Sequence, residues 1–146
     1  MTDGDRGLSI PHPVMAAIRA HLEAGYPNEA CGALVGQVRA DRHLVLAFRP
    51  MRNTVVDRPH DRYALDPLEQ LQVQRAADDQ GLEIIGFVHS HPDHPARPSQ
   101  FDTEHGWPFY SYVVAKVERG TMVEARAFRL NEAQARFDEE PLAISD

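Results

Sequence analysis

The sequence predicts an α/β domain with a mixed, largely antiparallel sheet. Apolar residues recur at helical spacing in one early stretch, and a helix-start signature opens a second. Several short runs rich in branched and aromatic residues lie between turn signals, and the two kinds of segment are interleaved along the chain. At 146 residues there is length for one hydrophobic core but not two.

Residues 1–7 are polar and acidic and read as a flexible tail. Leu8–Ile10 fits a short strand, and Pro11 and Pro13 suit a helix entrance. From Pro13 to Ala24, Val14, Met15, Ile18 and Leu22 mark one helical face, which Gly25 and Pro27 terminate. Ala33–Gln37 and Leu44–Phe48 read as strands about the polar turn Arg39–His43. Arg52–Arg62 is a charged loop containing Pro59. Asp66-Pro67-Leu68-Glu69 supplies an acidic cap, a proline at the first helical position and an early glutamate, so a helix runs from there to Gln80 and stops at Gly81. Leu82–His89 is an apolar strand interrupted by Gly86. Three prolines in Pro92–Pro98 exclude both strand and helix. A short helix over Ser99–His105 precedes strands at Tyr112–Val117 and Met122–Leu130. Residues 8–130 thus form the domain, and 131–146 is a polar extension with room for a short helix.

Composition narrows the function. With 42% apolar and 25% charged residues the chain is ordinary for a soluble protein. Its formal charge of -7 and its single lysine, Lys116, argue against nucleic acid and against an anionic membrane surface. Cys31 is the one cysteine, which rules out an intrachain disulfide and a Cys-rich zinc finger. No apolar run approaches the roughly 18 residues of a membrane span, and the acidic start is the opposite of a signal peptide. A cytoplasmic location is expected. Self-association is compatible with the sequence but not specified by it.

The chemistry is concentrated in His89-Ser90-His91 and in Ser99-x-x-Asp102. Residues two apart on a strand face the same side, so His89 and His91 can present both imidazoles to one point. If Ser99 caps a helix, Asp102 falls in its first turn and can complete the set. Two histidines, a carboxylate and a fourth position left to water make a catalytic rather than a closed structural zinc site. Taken singly these motifs are weak, since a Ser-x-x-Asp pair is ordinarily a capping box. Their joint spacing carries the reading.

The string His89-Ser90-His91-Pro92, the seven residues between His91 and Ser99, and Ser99-x-x-Asp102 together resemble the JAMM motif of the MPN+ metallopeptidase family. Glu29-Ala30-Cys31-Gly32 stands where that family places a Glu-x-Cys-Gly string. The likeness in element order runs from about Leu8 to Leu130, and His91–Ser99 is most similar to short, free-standing bacterial members. The resemblance implies an MPN/JAB-type curved mixed sheet flanked by helices, of cytidine-deaminase-like architecture. It implies Zn2+ on His89, His91 and Asp102, with Glu29 moving the water's proton and Ser99 donating to the oxyanion. From position alone Glu29 reads better as a solvated loop acid, and it is the Glu-x-Cys-Gly match that reverses this; Ser99 also reads as a helix cap. Cys31 reads as a small buried apolar residue.

Two other readings share some of these residues. His89-x-His91-x-Asp93-His94 matches a string of metallo-β-lactamase-fold hydrolases, but only His105 follows, too few histidines for that two-metal site. A catalytically silent scaffold is the other, disfavoured because all five motif residues are present. Ubiquitin-removing relatives carry insertions that grip ubiquitin, and here the corresponding loops are short. The resemblance therefore implies a ubiquitin-like β-grasp sulfur carrier as substrate, cut after its C-terminal diglycine, with zinc as cofactor. Arg52 and Arg97 read first as solvated surface arginines and second as partners for carrier carboxylates, and Trp107, Phe109, Tyr110 and Tyr112 as residues that fill the core or cover the cleft.

Overall fold

A computed structural model describes residues 6–55, 59–60 and 62–145. In chain order the elements are β1 (Gly7–Pro11), α1 (His12–Gly25), β2 (Cys31–Arg39), β3 (Arg42–Met51), α2 (Pro67–Asp79), β4 (Glu83–Pro92), α3 (Gln100–His105), β5 (Ser111–Glu118), β6 (Thr121–Asn131), a 3-10 turn (Glu132–Gln134), β7 (Arg136–Glu140) and β8 (Leu142–Ser145). Eight strands form one sheet in the order β7-β6-β5-β4-β2-β3-β1-β8. β4 runs parallel to β5, and β1 parallel to β3 and β8, while the remaining pairs are antiparallel. This is the mixed α+β sheet with flanking helices that the sequence predicts. No helix among the described residues is long and apolar enough to cross a membrane.

α1 covers one face of the sheet, where Ile18 and Leu22 pack with Leu8, Ile10, Leu34, Val45 and Val88. α2 lies over the other, where Ala77 packs with Cys31, Val35, Ile84 and Phe87. β4 passes between these layers with nearly every side chain buried, as expected of a strand covered on both faces. Its pairing with β2 slips by one residue, since Leu34 lies opposite Gly86 and Val35 opposite Ile84. Such a slip exchanges the faces of everything beyond it. Ile84, before the slip, and Phe87, after it, therefore share the α2 face, and His89 and His91 follow Phe87 onto it. A Cβ on Gly86 would sit 2.3 Å from the Ser111 carbonyl oxygen, so the glycine that interrupts this strand is required by the close approach of β5. β4 also continues through both histidines to Pro92, one residue into the segment expected to be loop, because β5 pairs alongside as far as Val117.

The C-terminal extension differs from expectation. Among the described residues its helical content is the single turn Glu132–Gln134, and Arg136–Glu140 and Leu142–Ser145 are the strands β7 and β8. These strands occupy opposite edges of the sheet yet are separated only by Pro141. Two Cα steps span at most about 7 Å, so the sheet must curl until its edges meet there. The Leu8 amide donates to the Pro141 carbonyl at 2.9 Å. Sequence gave no sign of this because Arg136–Glu140 is polar, and its pairing depends on a distant partner. Of the tail, residues 1–5 lie outside the described residues, while Arg6 pairs with Asp41 at 3.1 Å and Gly7 opens β1.

A buried polar network ties this closure together. Ser111 Oγ donates to Glu140 Oε1 and contacts His43 Nδ1 at 2.8 Å, while Arg129 pairs with Glu140 and, at 2.8 Å, with Asp41. Burial, with the Arg129 charge, pushes His43 down to about 4, so it packs as a neutral ring. Glu140→Ala leaves the Arg129 guanidinium with Asp41 alone. The expected cost is about 3 kcal/mol, read as a melting temperature lowered by about 10 °C in circular dichroism. An unchanged melt would show that the network does not hold the closure.

Candidate metal centre

At the end of β4, His89 Nε2 and His91 Nε2 lie 3.2 Å apart, and Asp102 Oδ2 lies 3.1 Å from each. All three residues are buried. Three atoms that can each present a lone pair, drawn into one triangle, repel one another unless a cation or shared proton sits among them. Tetrahedral ligands about 2.0–2.1 Å from zinc would be about 3.3–3.4 Å apart, close to these edges. The donor set fits zinc, and the open side of the triangle leaves a position for water.

Each donor is aimed by a second contact. His91 Nδ1–H donates to the Pro95 carbonyl at 2.9 Å, which turns the Nε2 lone pair inward. The stiff proline loop thus fixes the tautomer of a residue four positions earlier. His89 is stacked on Tyr63, ring centroids 4.4 Å apart. Asp102 is held by a capping box: its amide donates to Ser99 Oγ at 3.0 Å, and the Ser99 amide donates to Asp102 Oδ2 at 2.8 Å. Burial acts to raise the Asp102 carboxyl, but the two imidazoles against it and the bond from the Ser99 amide outweigh burial and hold it well below the usual carboxylate range. Burial lowers His89 toward the neutral, ligand-competent form. At His91 burial is outweighed by the bonds to Asp102 and Pro95, and its affinity for a proton rises.

Glu29 comes from the loop before β2. Cys31 pairs with His89, so continuing the antiparallel register sets Glu29 opposite His91. The Ser90 amide donates to the Ala30 carbonyl and the Ala30 amide to Ser90 Oγ, both at 2.9 Å. The serine between the histidines therefore clamps the loop that carries Glu29. A buried Glu29 carboxylate oxygen lies within 4.8 Å of a ring nitrogen of each histidine, close enough to share an ion with them.

Sequence reasoning missed this framework. Asn53, read as part of a charged loop, donates to the Glu29 carbonyl at 3.1 Å and the Arg62 carbonyl at 2.9 Å. Its own oxygen accepts from Val55 and Ala64. Tyr63 and Ser90 likewise support the histidines. The signal that could have found Ser90 was its position on the opposite face of a strand whose histidines face a site.

Asp93 and His94 are not brought to the triangle. The Asp93 carboxylate accepts from Tyr26 Oη at 2.6 Å and the Arg119 amide at 2.9 Å, and His94 is exposed on the cleft. Cys31 is buried, with its thiol pushed up to about 12 by burial and by the Glu69 and Glu29 charges, which suits packing and not nucleophilic attack. Arg52 is taken by Asp66 at 3.2 Å. Tyr110, Tyr112 and Trp107 line an aromatic cavity of about 310 Å³ behind His89 and Asp102, whereas Phe109 packs against His43.

The sequence profile of the family described as prokaryotic homologues of the JAB domain matches residues 11–131. Desampylase of Haloferax volcanii is 34% identical over 112 residues, covering 73% of this chain and 78% of that protein. The CysO-cysteine peptidase of Mycobacterium tuberculosis is 32% identical over 141 residues, covering 94% and 90%. The solution structure of a protein from Desulfitobacterium hafniense superposes with a TM-score of 0.83 at 30% identity, covering 95% of this chain and 93% of that one.

Proposed function

We propose that this chain, which belongs to the prokaryotic JAB family of JAMM-type metallopeptidases, hydrolyses the peptide or isopeptide bond after the C-terminal diglycine of a ubiquitin-like sulfur carrier. The observation that carries the reading is the buried triangle of His89 Nε2, His91 Nε2 and Asp102 Oδ2 with the Glu29 carboxylate beside it. Zinc held there would supply Lewis acidity, polarising the scissile carbonyl and bringing the pKa of a water from about 15.7 to about 7.

The chain's own residues do the rest. Glu29 accepts the proton of the attacking water and returns it to the departing amine. Ser99 uses its oxygen as an acceptor in the helix cap, and a hydroxyl carries a donor besides. Capping and oxyanion donation therefore use different parts of one group. A single such donor is worth roughly 3 kcal/mol in the transition state. Diglycine suits the approach, because a chain without side chains can lie extended in a narrow cleft.

The likeness to a desampylase and to a CysO-cysteine peptidase supports this reading of the substrate. Only Gly106–Tyr110 separates α3 from β5, leaving no insertion there to grip ubiquitin. With zinc-loaded protein, a sulfur carrier extended beyond its diglycine is expected to be trimmed faster than a ubiquitin chain, as followed by mass spectrometry. Cleavage of ubiquitin linkages alone would reverse the substrate. A folded protein that binds no zinc and cuts neither would be a scaffold.

A further inference from the structure

The cleft in front of the triangle is a cavity of about 470 Å³ lined by Glu29, His91 and Ser99, and also by Arg62, Arg97 and His94. Among the described residues Glu29 is the one acid in that lining, in a chain whose formal charge is -7. Away from the reacting groups, the described side chains there that can carry charge are Arg62, Arg97 and His94, all basic. Both arginines are tied to the site. Arg97 lies two residues before Ser99 on the loop whose Pro95 carbonyl orients His91. The Arg62 carbonyl is held by Asn53, which also holds the Glu29 carbonyl. Its guanidinium lies 4.9 Å from the centroid of the Phe101 ring, between Ser99 and Asp102 in sequence. Among the described residues neither guanidinium has a carboxylate partner, whereas Arg52 of the same loop is spent on Asp66.

We infer that Arg62 and Arg97 form a subsite for a carboxylate carried by the leaving group. The inference rests on the proposed function. Glu29 has to reach the departing nitrogen, so that nitrogen sits in this cavity. The α-carboxylate of a single released amino acid is two bonds from its nitrogen and falls among the same side chains. A planar guanidinium is the natural partner for a carboxylate. The departing lysine of an internal isopeptide has no free carboxylate to offer. The subsite therefore favours a carrier capped by one amino acid over a carrier conjugated to a protein.

The test uses zinc-loaded protein and a carrier ending in diglycine plus one residue, prepared with a free terminal carboxylate or as the terminal amide. Wild type is expected to favour the acid by about tenfold in kcat/KM, mainly through KM. The Arg62→Ala/Arg97→Ala double variant is expected to bring that ratio close to one. A third arm compares terminal amides bearing Asp or Asn. Faster release of Asp would support the subsite with a side-chain carboxylate as its source. Equal cleavage of acid and amide by wild type, with no Asp preference, would overturn the subsite and leave the peptidase standing. An equal slowing of acid and amide by the double variant would overturn it too. Cleavage of neither substrate would remove the proposed function and the subsite with it.

Discussion

Glu29→Gln is expected to fold, to hold one zinc per chain, and to hydrolyse the extended carrier about a thousandfold more slowly. The substitution changes a carboxylate to an amide of nearly the same shape. The backbone around it is fixed independently of the side chain: the Glu29 amide donates to the Pro59 carbonyl at 2.6 Å, its carbonyl accepts from Asn53, and Ala30 is doubly bonded to Ser90. The tight triangle consists of other residues, so zinc content measured by mass spectrometry should stay near wild type. An amide cannot take the water's proton or return it to the amine, so the loss falls on kcat. A wild-type rate from this variant would move the base elsewhere. Loss of zinc together with activity would make Glu29 a ligand.

The sequence displayed the ligand set because its geometry is local. His89 and His91 share a strand face, and Ser99 with Asp102 is a first-turn capping pair, so both relations are legible from spacing. Joining the two pairs required distant packing, and only the family resemblance supplied that. Glu29 was legible as a motif but not as a position. Its place opposite His91 depends on β2 pairing with β4 across about sixty residues, and on the slip near Gly86 that selects the face. Asn53 and Tyr63 were invisible because polar loop residues reveal their partners only once the chain is folded. The edge strands β7 and β8 were missed for the same reason: neither short segment carries a hydrophobic period strong enough to announce a strand.

His91→Ala separates metal binding from the proton chemistry. It removes one corner of the triangle, and with it both zinc retention and turnover are expected to fall to background. The choice of His91 matters. Asp102 also completes the cap of α3 through the Ser99 amide, and losing a cap costs about 1 kcal/mol whatever the metal does. His91 anchors no helix; its other nitrogen reaches only the Pro95 carbonyl. The readout is the zinc-dependent part of stability. A metal that binds only the folded state adds about 2.7 kcal/mol at a hundred times its Kd, or about 5–10 °C in melting temperature for a chain of this size. Wild type stripped with a chelator should lose that increment and regain it with zinc, whereas His91→Ala should melt at the same temperature with or without the metal. An equal zinc increment in both proteins would place the ion outside the triangle.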